Sequence, residues 1–307
     1  MNNELFLSKI KEICPKAKKY EFYKNAVIYK DENDNKHVVK ENKDDALKIY
    51  NYLNSRGFSY LPKLEYLDKD VYIYKYEEDL EMPKEQRMSD LIKTSALLHN
   101  KTVYYKDTAV DEVKELYEYL SNKIINTYNY YDDIMNIIES NIYMSPSYYM
   151  LARNCSMIFN CLEFSKSTLD DWYKKMEKTS KKRNVLLHNN LDVHHLIRND
   201  ENILISWNNV KRGLPIYDFI NLYKNNFADY DFNELYHEYK KRFPLTKEEK
   251  MLIFIYLFIP DKLDLTKSEM AKTIDVARLC NYLVTTDKLF MEQEAENTKE
   301  QKTNVNE

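Results

Sequence analysis

The stretch that decides the fold covers residues 185–219 and has the sequence VLLHNNLDVHHLIRNDENILISWNNVKRGLPIYDF. Two short apolar runs, VLLH at 185–188 and ILISW at 203–207, flank a polar segment, which is typical of strands separated by turns. On both sides of this stretch the apolar residues recur with the 3.6-residue period of helices. The sequence therefore predicts an isolated β insertion within a helical region.

Upstream of residue 81 the sequence predicts a small lobe that mixes helix and strand. A short amphipathic helix ends near Pro15, and two β-rich stretches then flank a polar turn at 31–36. A helical period follows over 43–56, and Gly57 stands where a C-terminal cap belongs. The segment 61–76, LPKLEYLDKDVYIYKY, alternates apolar and polar residues as a hairpin does. We expect residues 1–80 to form an N-terminal α+β lobe.

Helical periods dominate residues 81–290, which we expect to form the larger C-terminal lobe with the β insertion embedded in it. The last residues, 291–307, are polar without a period and predict a disordered tail. The chain contains no internal repeat and no linker long enough to separate independent domains. One two-lobed α+β unit is the predicted architecture.

Three blocks within 185–219 resemble the catalytic segment of the aminoglycoside phosphotransferase and choline kinase families. The family pattern is roughly L-I-H-G-D-L-H-x-x-N-I-L, then I-D-W-E, then G-x-P-x-Y-D-L. The residues that match it, in order and with fitting spacing, are His188, Leu191, Trp207, Gly213, Pro215, Tyr217 and Asp218. The resemblance implies a protein-kinase-like fold with a small β-rich N-terminal lobe and a larger, mainly helical C-terminal lobe.

The same resemblance places three family functions on unsuitable residues. The aspartate that accepts the substrate proton falls on Asn190, whose amide has no basic oxygen near neutral pH. The asparagine that helps to hold magnesium falls on His195, and imidazole suits a hard cation poorly. The aspartate that bridges metal and phosphates falls on Ser206, which carries no charge. The sequence thus predicts a catalytically impaired, kinase-like protein.

Two other interpretations of the loop were considered. Asp192, two residues beyond Asn190, is a candidate displaced base, although aspartate in such a loop more often bonds to nearby backbone N–H groups. The trio His188, His194 and His195 could suggest zinc, but neighbouring histidines point in different directions, so no metal site is predicted.

The small lobe carries the other half of the implied nucleotide site. Lys40 closes the strand His37-Val38-Val39-Lys40 and resembles the lysine that contacts nucleotide phosphates, with Asp44 or Asp45 as its acidic helix partner. The preceding loop at 23–26 has no glycine, so phosphates are not cradled there in the usual way. Residues 76–79 would be the hinge that meets adenine. We expect no cofactor, or ATP with magnesium if the chain is active.

Composition narrows the class of protein and of partner. The net charge of −4 gives no reason to expect nucleic acid. The apolar runs are too short to span a bilayer, and the N-terminus lacks a secretory cleavage signal, so a cytoplasmic location is expected. Four scattered cysteines predict free thiols. The Asn, Lys, Ile and Tyr bias is similar to that of spore-coat relatives of the family in low-GC Gram-positive bacteria.

Three functions are therefore weighed. The first is a kinase-like binding or scaffold module that recognises an unidentified protein or small ligand. The second is a small-molecule phosphotransferase that transfers phosphate from ATP to a hydroxyl, with Asp192 as base. The third is an unrelated helical interaction protein, which would lack a five-stranded small lobe.

Overall fold

A computed structural model of the chain describes residues 3–23, 25–42 and 46–305, with side chains up to residue 295. They form an α+β fold with a β-rich N-terminal lobe and a larger, mainly helical C-terminal lobe, which confirms the predicted fold class. No described helix combines the length and the apolar character that crossing a bilayer requires. All four cysteines are free, and Cys161 is the buried one.

The N-terminal lobe is built on an antiparallel sheet with the strand order β1-β2-β3-β5-β4. Its elements are α1 (Asn3–Ile13), β1 (Lys18–Tyr23), β2 (Ala26–Lys30), β3 (Lys36–Glu41), α2 (Ala46–Ser55), β4 (Leu64–Leu67) and β5 (Val71–Lys75). The first predicted β-rich stretch proves to be two strands, β1 and β2, which pair with each other. No glycine or proline marks that reversal in the sequence, so it was missed.

The two faces of this sheet bury different helices because side chains alternate along a strand. One face packs Val39 and Ile73 against Phe6 of α1, and the other packs Val38 and Tyr72 against α2. Lys40 lies two residues beyond Val38 and therefore points to the same side as Val38. The side chain predicted to meet nucleotide is thus placed by the period of β3.

Gly57 follows the end of helix α2 as the predicted C-terminal cap and has a φ of +70°. Its neighbour Phe58 donates its N–H to the Leu53 carbonyl at 3.0 Å, which completes the terminal turn. A left-handed residue is required there, and glycine adopts that conformation without strain from a Cβ.

The remaining described elements are mainly helices, with one short strand after the first helix and a group of four short strands after the third. They are α3 (Lys84–Thr102), β6 (Tyr104–Asp107), α4 (Val110–Ser140), α5 (Pro146–Met176), β7 (Lys181–Leu187), β8 (Leu196–Arg198), β9 (Asn202–Leu204), β10 (Lys211–Gly213), α6 (Ile216–Asn226), α7 (Phe232–Arg242), α8 (Lys247–Phe258) and α9 (Glu269–Val305).

The predicted β insertion is present, but its pairing is more local than the sequence suggested. Residues 202–204, NIL, pair with residues 196–198, LIR, so the hairpin is β8 with β9. The earlier run VLL belongs to β7, whose residues 185–187 pair with β10, while residues 181–184 pair with β6. The polar segment at 188–195 therefore connects β7 to the β8–β9 hairpin.

By its contacts the chain divides into two compact units. The first contains the N-terminal lobe, α3, Val185–Asp218 and Lys241–Phe243, and the second contains the other helices with β6. Lys40, Asn190, Asp192, His195 and Ser206 all belong to the first unit. The predicted lobe boundary at residue 80 stays a prediction.

Residues 291–305 of the predicted disordered tail belong to α9, and the tail as a separate segment from residue 291 stays a prediction. Disorder was inferred from the missing apolar period, which removes a packing face but not the tendency to form helix. Residues 291–307 contain five glutamates, two glutamines and two lysines, which favour helix.

Candidate functional site

The polar segment after β7 is held by one buried carboxylate. Asp218 is 1% exposed and accepts hydrogen bonds from the backbone N–H groups of His188, at 2.9 Å, and Asn189, at 2.7 Å. It also accepts from Nε2 of His99 at 3.1 Å. Burial alone would raise the pKa of Asp218, but the hydrogen bonds from the His99 ring and the Asn189 backbone lower it, so Asp218 is charged. The start of the loop is therefore fixed.

Asn189 stands where the family pattern has glycine. The backbone conformation at this residue is one that glycine adopts easily. Its φ is +56°, in the left-handed region, where asparagine is tolerated better than most other residues. The turn needed after His188 is thus kept without glycine. Asn190 follows directly, half-buried, in the position implied for the catalytic base.

Residues 193–195 form a single 3₁₀ turn that uses both Asp192 and His195. The carboxylate of Asp192 accepts the backbone N–H of His194 at 2.8 Å, the role of a cap. Nδ1 of His195 donates to the carbonyl oxygen of Asn190 at 2.7 Å, since a carbonyl can only accept. Asp192 therefore performs the turn function that competed with its catalytic interpretation.

Lys40 and Ser206 meet although 166 residues separate them in the chain. Nζ of Lys40 donates to Oγ of Ser206 at 3.1 Å. Lys40 is 7% exposed, and burial lowers its pKa to about 8. Within the described residues, no carboxylate lies within ion-pairing distance of this amine. The predicted partners Asp44 and Asp45, and Lys24 of the loop at 23–26, lie outside the described residues.

Ser206 itself has a left-handed backbone, with a φ of 68° and a ψ of 45°. Such a conformation costs a serine about 1 kcal/mol or more, so the surroundings must impose it. Those surroundings include Trp207, which donates its indole N–H to the Leu204 carbonyl at 2.6 Å and packs edge-on against Phe58. The matched tryptophan is thus an anchor for the turn that places Ser206.

His188 is a buried structural histidine, which argues against the zinc interpretation. Its Nε2 donates to the Ile205 carbonyl at 2.9 Å, and its ring lies edge-on to Trp207. Burial lowers its pKa to about 4, so the ring is neutral at physiological pH. In the described part of the chain, no group of three or more His, Cys, Asp or Glu side chains could hold a metal ion.

The donor set at the three implied positions does not fit magnesium. It consists of the amide of Asn190, the imidazole of His195 and the hydroxyl of Ser206. Magnesium is held in kinase sites by carboxylate and phosphate oxygens, and no carboxylate stands at these positions.

The segment implied as hinge, 76–79, contacts the β8–β9 hairpin. Asp79 accepts the backbone N–H of Arg198 at 2.9 Å, and Glu77 accepts the side-chain amide of Asn199 at 3.0 Å. Asp79 also pairs with Arg87 of α3 at 2.6 Å. The partners Arg198, Asn199 and Arg87 were not predicted from the sequence, because none of them matches a residue of the family pattern.

Asn208 is a further polar side chain that sequence reasoning missed. Its Oδ1 accepts the hydroxyl of Tyr72 at 3.2 Å, which ties the residue after Trp207 to β5. Tyr72 is the direct cross-strand partner of Lys40. The sequence feature that could have indicated this polar contact is the pair Asn208-Asn209 directly after the matched tryptophan.

This arrangement of a five-stranded lobe, a strand lysine and a carboxylate-anchored loop defines a protein-kinase-like fold. No protein-family model and no curated protein matches the sequence. Solved structures do match, and the chain has the fold of the aminoglycoside phosphotransferases, as the resemblance implied.

An aminoglycoside phosphotransferase from Alicyclobacillus acidocaldarius subsp. acidocaldarius DSM 446 matches with a TM-score of 0.66 and 10% identity, over 91% of this chain and 93% of that chain. The AMP-bound complex of a spectinomycin phosphotransferase matches with a TM-score of 0.52 and 11% identity, over 94% of each chain. Identities this low show the fold alone. The five-stranded lobe also contradicts the alternative of an unrelated helical protein.

A negative charge at position 206 should stabilise the protein relative to a neutral side chain of the same shape. We expect Ser206→Asp to have a free energy of unfolding about 1–2 kcal/mol higher than Ser206→Asn at pH 7, because the new carboxylate offsets the buried ammonium of Lys40. The two side chains are nearly isosteric, and both tolerate the left-handed backbone. Denaturant unfolding measures the difference. Equal stabilities would mean that the Lys40 charge is already compensated.

The buried, neutral His188 should make stability depend on pH between 7 and 5. Its folded pKa, about 4, lies below the unfolded value of about 6.5, so the unfolded state alone takes up the proton in this window. Stability is complete above pH 6.5 and falls by about 2 kcal/mol at pH 5. This dependence should shrink in His188→Gln and persist in the exposed control His194→Gln. An unchanged slope in His188→Gln would contradict the assignment.

Proposed function

We propose that this chain is a kinase-like protein that has lost magnesium-dependent phosphoryl transfer and acts as a binding or scaffold module. The observation that carries the proposal is the contact of Lys40 with Ser206. At the position implied for the metal-bridging aspartate, the lysine meets a neutral hydroxyl. Asn190 and His195 complete a set of three replaced positions.

The replacements act on separate requirements of phosphoryl transfer. An amide at residue 190 orients a substrate hydroxyl but removes no proton, and loss of a positioned base costs about 10²- to 10⁴-fold in rate. A serine and a histidine in place of metal ligands leave the charge of a transferring phosphate without its usual counterion. A kinase that loses both functions is left with little activity.

Binding is a different matter, because the loop and the lysine both persist. Asp218, Asn189 and Trp207 hold the backbone around the site. Lys40 stays buried without a described carboxylate partner, which is an arrangement that costs stability. A buried cation of this kind favours an anionic group as its partner. We infer that the module binds an anionic ligand at Lys40 without a metal ion.

The alternative is a small-molecule phosphotransferase with an unusual active site, and the fold neighbours of known activity keep it open. It requires Asp192 as base. The hydrogen bond from His194 to that carboxylate favours a turn function instead. Asp192→Asn would abolish any phosphoryl transfer under this alternative. The cytoplasmic location and the association with spores stay predictions from the sequence.

The proposal is tested by calorimetric titration of the protein with ATP, once with magnesium and once with a chelator. We expect any nucleotide binding to be the same in both, because no carboxylate stands at the implied metal positions. Lys40→Met should weaken whatever binding is found. Tighter binding with magnesium, by about tenfold or more, would overturn the proposal.

A further inference from the structure

A second site lies in the other compact unit, in an open pocket of about 510 Å³ that no predicted site residue lines. We call it the basic pocket. Six of its lining residues are Lys224, Phe227, Asp261, Lys262, Arg278 and Tyr282. They come from α6 and the turn that follows it, from the α8–α9 connection and from α9. The volume suits a small organic molecule.

Lys224 is the most buried cation of the basic pocket. Its side chain is 20% exposed, and burial lowers its pKa despite the carboxylate of Asp261 at 3.4 Å. Asp261 is itself 82% exposed, so water weakens its attraction for the amine. Lys123 of α4 lies close enough to lower the pKa of Lys224 further. Burial is therefore the main cause of the lowered pKa of Lys224, and Lys123 adds a smaller contribution of the same sign.

Two more cations line the pocket, and each lies over an aromatic ring. The guanidinium of Arg278 is 5.7 Å from the centre of the Phe227 ring, and Nζ of Lys262 is 5.0 Å from the centre of the Tyr130 ring. Neither has an ion-pair partner within 4.0 Å in the described part of the chain. Both charges remain available to a ligand.

The remaining charged groups of the pocket are already engaged. Lys267 pairs with Asp275 at 2.6 Å. The carboxylate of Asp264 accepts both the backbone N–H and the hydroxyl of Thr266, which fixes the turn before α9. The described lining therefore carries four positive and three negative charges, and Asp261 is the carboxylate beside Lys224.

The floor of the basic pocket, between these cations, is apolar. Phe227, Leu279 and Tyr282 are 4%, 8% and 9% exposed, so their rings and side chains form a packed floor. The hydroxyl of Tyr282 donates its hydrogen bond to the Leu257 carbonyl at 2.7 Å, so it does not donate to a ligand in the pocket. A ligand that fits must combine negative charge with an apolar or flat body.

We propose that the basic pocket binds a small organic phosphate monoester. Its phosphate dianion meets Lys224 and Arg278, with Lys262 at the rim, and its apolar part lies on Phe227 and Tyr282. A phosphate with two charges matches several cations better than a single carboxylate does. This site uses none of the residues of the proposed kinase-like function and does not depend on it.

Titration of the full chain with phenyl phosphate, followed by calorimetry or ligand-observed NMR, tests the proposal. Phenol and inorganic phosphate serve as half-probes. We expect phenyl phosphate to bind more tightly than either half and less tightly as salt is added. Lys224→Met and Arg278→Gln should each weaken it by about 10-fold or more, because each removes a charge-assisted contact.

A control variant locates the binding. Arg153→Gln removes an arginine that also lies 5.7 Å from an aromatic ring centre, that of Tyr149, but outside the pocket. It should bind phenyl phosphate as the parent does. Absence of binding at about 10 mM, equal binding of phenol, or unchanged binding in Lys224→Met would each overturn the proposal.

Discussion

The hydrogen bonds of one buried carboxylate hold the candidate site together. Asp218 accepts the backbone N–H groups of His188 and Asn189 and the ring N–H of His99, while only 1% of its surface meets water. A buried carboxylate without such donors would be very costly, so carboxylate and loop stabilise each other. The left-handed turn at Asn189 and the positions that follow it depend on this anchor.

Around Asp218, the residues that hold the fold differ from the residues that catalysis would require. Trp207, His188 and the turn at Ser206 are in place, each with a packing or hydrogen-bonding partner. What differs is the charge at the positions that the family uses for base and metal. A hydroxyl and an amide make the hydrogen bonds that a fold needs, but they neither remove a proton nor balance a phosphate. Folding and catalysis thus place different demands on the same loop.

Much of this site was predictable because its signals are local. Gly57 marked a helix end, and the blocks around His188, Trp207 and Asp218 placed the loop. The contact between Lys40 and Ser206 was implied only through the family resemblance, since 166 residues separate them. The β1–β2 reversal carries no glycine or proline. The basic pocket was invisible, because it joins Lys224 to Arg278 across three elements that share no motif.

Our central proposal is that three side chains, rather than the fold, prevent metal-dependent nucleotide binding. Its most direct test is calorimetry of ATP binding, with and without magnesium, to the triple variant Asn190→Asp, His195→Asn, Ser206→Asp, after its folding is checked by circular dichroism. We predict that the variant gains magnesium-dependent binding that the parent lacks. A folded variant that gains none, or a parent that already has it, would contradict the claim.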